Sequence, residues 1–238
     1  MTVFTPVYYA GDHRVEYFKK YINSVMMIDD ISNINFLFIA EPNSDKLLDL
    51  IPKNLNCRII NNEFRRGLLN NVFFGIEYVF NTLNEDYVIY FEEDVVFSKD
   101  IFNITNYYIS LGDKNSILCY LNKHKMFLPN HDLYKEENPN GIISVNCSTY
   151  YAPWGSCFSK KFWNETWKPL IKLYPDVGFD YLIDVYVPRV NIYTPCISRL
   201  NTIGKSGSGY NELIYSQHGF EYVKLYDGIK NSFNIIKT

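Results

Sequence analysis

The strongest constraint on this chain is residues 86–97, Asp-Tyr-Val-Ile-Tyr-Phe-Glu-Glu-Asp-Val-Val-Phe. An apolar run stops abruptly at Glu92, Glu93 and Asp94 and resumes at Val95. A strand apolar at successive positions belongs inside a sheet covered on both faces, which points to an α/β architecture. Carboxylates confined to its carboxyl end lie where such sheets present groups to a ligand. Their oxygens are hard ligands suited to Mg²⁺ or Mn²⁺, ions that complete their shells with water and substrate phosphates. The pattern therefore points to chemistry on a phosphorylated donor. Its plain alternative is a buried strand ending in a solvated acidic turn.

The flanking sequence has the rhythm of a nucleotide-binding sheet. Residues 2–8 are short and β-prone, and Val15, Phe18, Ile22, Val25 and Met26 then recur at helical spacing. Residues 36–40 form a continuous apolar run stopped by Glu41-Pro42-Asn43, as expected of a buried strand and its loop. A short strand is expected at 58–60. Leu69, Val72, Phe73, Ile76, Phe80 and Leu83 make a second amphipathic helix leading into the acidic strand. Strands alternating with helices imply a parallel sheet, with ligands gathered at the strands' carboxyl ends near residues 8–14, Glu41 and 92–94.

The second half is less regular. Residues 101–110 read as helix, and 116–121, 142–145 and 155–159 as strands, while 123–140 read as a polar loop. Residues 162–174 carry Trp163, Trp167, Leu170, Ile171 and Tyr174 on one helical face, and Pro169 predicts a bend or two shorter helices there. A further short helix is expected at 178–187. Residues 196–199 are expected to be extended, opening into Gly204-Lys205-Ser206-Gly207-Ser208-Gly209.

Composition narrows the class. With 238 residues and 47% hydrophobic content, the chain can bury the core of one domain. A formal charge of -3 argues against a general nucleic-acid binder. The five cysteines are scattered, odd in number and without C-x-x-C spacing, so they read as reduced core residues. No leader pattern and no apolar run of membrane-spanning length is present, and the expectation is a cytoplasmic protein without a membrane span. Neither G-x-G-x-x-G nor G-x-x-x-x-G-K-[ST] occurs, which disfavours a dinucleotide dehydrogenase or a P-loop NTPase.

Four segments together resemble a known family: YFEEDVVFSKDIF at 90–102, WGSCFSKKFW at 154–163, FDYLID at 179–184 and ISRLNTIGKSGSGYNELIYSQHG at 197–219. They resemble the GT-A-fold glycosyltransferases, and most of all the N-acetylglucosaminyltransferase I family. That family has a similar acidic triplet at a strand end, a similar I-S-R, a T-x-G-[KR] turn and a later Q-H. The polar stretch 123–140 has no counterpart. The resemblance implies an α/β, Rossmann-like mixed sheet flanked by helices, as one catalytic domain over 1–238. Residues 1–97 would be the nucleotide-sugar-binding half and 98–238 the less regular acceptor side.

The resemblance also implies roles. Asp94 would hold Mn²⁺ (or Mg²⁺) on the donor diphosphate, with Glu93 near the ribose or sugar and Glu92 supporting the loop. Glu41 would accept from a uracil N–H or a ribose hydroxyl, or else be a loop glutamate in solvent. Arg14 would approach the base or diphosphate, or simply begin a helix. Lys205, Ser206 and Ser208 would close over the donor phosphates, where a flexible surface loop is the alternative. Asp180 would be the catalytic base of an inverting transfer, with Asp184 its rival one turn away. Trp154 and Gly155 would shape the acceptor pocket, since an aromatic face suits a sugar ring, with a core tryptophan as the alternative. His218 would be a second metal ligand, as in some GT-A enzymes, although the N-acetylglucosaminyltransferase I family does not depend on one. The donor would be a UDP-sugar, UDP-GlcNAc or UDP-glucose. The acceptor is open among a glycan, a protein, a lipid-linked sugar and a modified nucleobase. Two other readings stand beside this one: a nucleotidyltransferase acting on a sugar phosphate, and a binding module that keeps the fold without turnover.

Overall fold

The computed structural model describes residues 1–121, 138, 140–146, 155–175, 182, 190–205 and 225–237. Strands β1 (Thr2–Val7), β2 (Asn35–Ala40), β3 (Cys57–Asn61) and β4 (Tyr87–Phe91) are joined through helices α1 (Asp12–Met26), α2 (Asp45–Leu48) and α3 (Leu68–Glu77). β5 (Val95–Phe97), helix α4 (Ile101–Ser110), β6 (Ser116–Cys119), β7 (Gly141–Asn146) and β8 (Gly155–Ser159) follow. Then come α5 (Lys160–Phe162), α6 (Lys168–Leu173), β9 (Asn191–Pro195), β10 (Leu200–Thr202) and β11 (Asn234–Lys237).

Among the described residues, nine strands form one sheet in the order β3-β2-β1-β4-β8-β6-β9-β7-β11, and β5 pairs separately with β10. The block β3-β2-β1-β4 is parallel. β8 is antiparallel to both β4 and β6, and β6 runs parallel to β9. The sheet is therefore mixed, as expected, with its first half parallel. From β1 the chain moves outward to β2 and β3, then returns to place β4 on the other side of β1. The β1/β4 boundary is thus a topological switch point, the place at which sheets of this kind bind their ligands.

Alternation along the strands divides the core. Val3 and Val7 of β1 pack on one face with Phe18, Tyr21, Ile22 and Val25 of α1 and with α4, while Phe4 faces the opposite layer of Val72, Ile76, Trp163 and Trp167. Both faces are covered, which is why β2 and β4 are apolar at every interior position.

The structure corrects one sequence expectation and bears out another. Residues 196–199 are a turn between β9 and β10 and not an extended segment. The helix around Pro169 does divide, by a π-helical turn at Trp163–Trp167 in which the Lys168 amide donates to the Trp163 carbonyl. Proline has no amide hydrogen to give, and the widened turn precedes it. The expected loop 123–140 and helix 178–187 lie almost wholly outside the described residues.

Candidate active site

Three pieces of chain meet at the switch point, with a fourth at the neighbouring strand end. Gly11, with φ 133, turns the chain out of β1 and caps α1, whose first turn carries Arg14. β4 ends at Phe91, and Glu92, Glu93 and Asp94 follow directly. The β5–β10 pair returns residues 203–205 to the same place: the Ile203 amide donates to the Asp94 carbonyl at 2.8 Å. Glu41 follows β2, with its amide bonded to the Val7 carbonyl at 2.9 Å.

Arg14 binds both acidic residues at once. Its Nη1 donates to Asp94 Oδ2 at 2.9 Å and its Nη2 to Glu93 Oε1 in a closer contact. Burial works against the guanidinium charge, but Glu93 and Asp94 more than offset it and push the pKa up. Glu93 is buried, and burial raises its carboxyl pKa while Arg14 opposes that rise. Glu92 accepts from the Tyr90 hydroxyl at 3.0 Å and is pushed up to about 8 by burial and by the charges of Asp94 and Glu93. The triplet is thus three carboxyl groups in one poorly solvated place with a single guanidinium bonded to two of them.

Gly204 also lies against Asp94. A β-carbon at 204 would lie 2.1 Å from Oδ2 and 2.7 Å from Cγ, so only glycine lets the backbone come this near. The next amide, Lys205 N–H, donates to the Tyr17 hydroxyl of α1 at 3.2 Å.

Glu41 is 4% exposed. Its Oε2 accepts from the Arg66 amide at 2.8 Å, while Oε1 is buried with no hydrogen-bond partner. Arg66 is held by Asn62 Oδ1 at 2.8 Å and stacks on Phe74, 4.2 Å from the ring centroid. Residues 64–66 together with Asn70, Phe73, Phe74 and Glu77 line an open groove of about 600 Å³ beside it. A buried carboxylate oxygen without a donor is costly, and a ligand N–H or hydroxyl would relieve it.

The structure therefore brings together Arg14, Glu93, Asp94 and Gly204, with Lys205 adjoining, and sets Glu41 at the neighbouring strand end. Gly155 is buried in β8 opposite Phe91, and Leu200 occupies the space a side chain at 155 would need. Trp154, Asp180, Asp184, Ser206, Ser208 and His218 lie outside the described residues. The direct Arg14–Asp94 pairing and the approach of Gly204 go beyond the sequence expectations. The acidic triplet was a signal for the first, and the Gly/Ser-rich stretch for the second.

As a cation site, the donor set is one of hard oxygens. Among the described residues no three His, Cys, Asp or Glu side chains converge into a cage. Hard carboxylate oxygens are the donors an ion of the Mg²⁺ or Mn²⁺ type takes, one or two at a time, with water and substrate phosphates filling its shell.

No family model matches the chain, and no curated protein matches it. Solved structures do. The S. aureus TarS fragment 1–349 in complex with UDP superposes with a TM-score of 0.56 at 15% identity, over 84% of this chain and 59% of that one. The same fragment with UDP-GlcNAc gives 0.58 at 14% identity, over 87% and 59%. The galactosyltransferase LgtC with donor and acceptor sugar analogues gives 0.50 at 13% identity, over 82% and 73%. The fold is that of the GT-A glycosyltransferases. The chain spans 59% of the length of the TarS fragment it matches. Among the described residues no helix is long and apolar enough to cross a membrane.

Proposed function

We propose that this chain transfers a sugar from a nucleotide sugar to an acceptor hydroxyl, with UDP as the nucleotide and a divalent cation held by Asp94. One observation carries the reading. At the switch point of a GT-A sheet, the Glu93–Asp94 pair stands at the end of β4 with Gly204 against Asp94 Oδ2. When bound, the cation would stabilise the negative charge that grows on the leaving diphosphate, by several kcal/mol for a Lewis-acid metal.

The protein's own groups divide the remaining work. Glu41, with Oε1 unpartnered, accepts from the nucleoside. The approach of residues 203–205 to Asp94 holds that carboxylate in place beside the diphosphate. Asp180 takes the proton of the attacking acceptor hydroxyl, and the transfer is inverting. A positioned base of this kind contributes about 10²–10⁴-fold. UDP as the nucleotide is supported by Glu41 and by the UDP and UDP-GlcNAc complexes of TarS. UDP-GlcNAc is the first donor to try, because the motif at 197–218 also resembles the N-acetylglucosaminyltransferase I family.

Calorimetric titration of UDP, GDP, CMP and ATP with and without Mn²⁺ tests the nucleotide assignment. Tight binding of UDP that needs Mn²⁺ supports it. ATP as the favoured ligand would move the protein to the nucleotidyltransferases.

A further inference from the structure

Arg14 occupies the acidic pair in a way that affects cation binding itself. Its guanidinium places one nitrogen on each carboxylate, and the three side chains are 11%, 6% and 13% exposed for Arg14, Glu93 and Asp94. Two carboxylates this close and this poorly solvated repel each other unless a cation lies between them. In the resting protein that cation is Arg14. The oxygen it holds, Asp94 Oδ2, is also the one that Gly204 lies against. A divalent ion approaching Asp94 therefore meets a positive charge already seated on the same carboxylate. Arg14 is not perfectly housed, however: its Nε is buried and has no acceptor. A guanidinium with an unsatisfied donor loses less by shifting than one bonded at every nitrogen.

We propose that Arg14 is the resting counter-ion of the Glu93–Asp94 pair and is exchanged off Asp94 by the incoming divalent cation. The inference rests on the reading of Asp94 as the cation-binding residue. Arg14 acts here as a positioning residue. It keeps the carboxylates together before the ion arrives, and it sets how tightly a bare ion can bind. The ion must compete with a tethered charge, so its affinity is held down in the resting protein. In return, the pair remains folded and correctly spaced without it.

The test is a titration with Mn²⁺ alone, followed by electron paramagnetic resonance of the free ion, on wild type, R14Q, R14K and D94N. Removing a full positive charge next to the ion should tighten Mn²⁺ binding to R14Q by about tenfold. R14K, whose single ammonium is expected to hold one carboxylate at a time, should tighten it by about threefold. D94N should lose binding. Thermal melts supply a second readout: R14Q should melt below wild type without Mn²⁺ and gain more from added Mn²⁺. Unchanged or weaker Mn²⁺ binding in R14Q, or in R14K should R14Q fail to fold, would overturn the exchange. So would the absence of Mn²⁺ binding in all four proteins. No sugar nucleotide is present in the titration, so an exchange seen in a protein without turnover would count against sugar transfer and not against Arg14.

Discussion

Gly204 lies directly against the carboxylate of Asp94, and a β-carbon added there would sit 2.1 Å from Oδ2. The contact is made by a loop that the β5–β10 pairing delivers, so the position of Asp94 is set from two sides: by Arg14 of α1 and by the backbone after β10. Replacing Gly204 with alanine must push either the loop or the carboxylate aside. Displacements of about 1 Å at a reacting centre can cost around 10²-fold in rate. G204A should therefore lose about 10²-fold in UDP release, bind Mn²⁺ more weakly and melt below wild type.

Glu41 carries a separate prediction. Glu41→Gln turns one carboxylate oxygen into a donor, leaving the buried position unable to accept with both atoms. UDP affinity should fall about tenfold, close to the 1.4 kcal/mol of one hydrogen bond. Mn²⁺ binding without nucleotide should stay at the wild-type value. Calorimetry with each ligand alone distinguishes the two effects.

The β5–β10 pairing depends on a buried ion pair. Arg199 Nε donates to Asp100 Oδ1 at 3.0 Å and Oδ2 at 3.2 Å, Nη1 donates to the Ile197 carbonyl at 2.7 Å, and the Tyr226 ring lies 3.9 Å from the guanidinium carbon. Both side chains of the pair are essentially unexposed. Arg199→Met strands the Asp100 carboxylate, which should cost about 3–5 kcal/mol. Adding Asp100→Asn should recover part of that loss, and urea unfolding of the single and double variants measures both.

Much of this architecture is legible in the sequence, and the reasons differ by element. The repeat of Phe18, Ile22 and Val25 marks α1, and the unbroken apolar runs of β2 and β4 mark strands covered on both faces. The carboxylates after β4 stand out because charge interrupts an apolar run. The β5–β10 pair leaves no such trace. Each of its strands has three residues, and their pairing is a long-range event without local periodicity. The pairing of Arg14 with Glu93 and Asp94, though not Arg14 itself, is hidden for a related reason. An arginine in the first turn of a helix reads the same whether it faces water or a carboxylate pair. Residues 196–199 misled because Cys196 and Ile197 are β-prone, whereas the Arg199–Asp100 pair and the Ile197 carbonyl bond hold them in a turn.

Acid should weaken the helical layer through Glu77. Burial alone would raise its carboxyl pKa, but Lys168 at 2.8 Å, the Trp163 indole N–H and Asn81 at 3.0 Å more than offset that and lower it. With the folded pKa below the ordinary value of 4.5, this stabilisation is complete above 4.5 and is lost as pH falls through the folded pKa. Glu77→Gln should cost about 2 kcal/mol at pH 7, in line with charged hydrogen bonds. It should also show a shallower loss of stability below pH 4.5 than wild type, read from urea midpoints across that range.

The central claim is that Asp94 makes this switch point a cation-dependent sugar-transfer site. The most direct measurement is UDP release from a panel of UDP-sugars, with GDP- and CMP-sugars and NTPs as controls, in Mn²⁺ or EDTA, for wild type and Asp94→Ala. Release of UDP from one sugar nucleotide that requires Mn²⁺ and is lost in D94A is the predicted result. Pyrophosphate released from an NTP while every sugar nucleotide stays intact would contradict it.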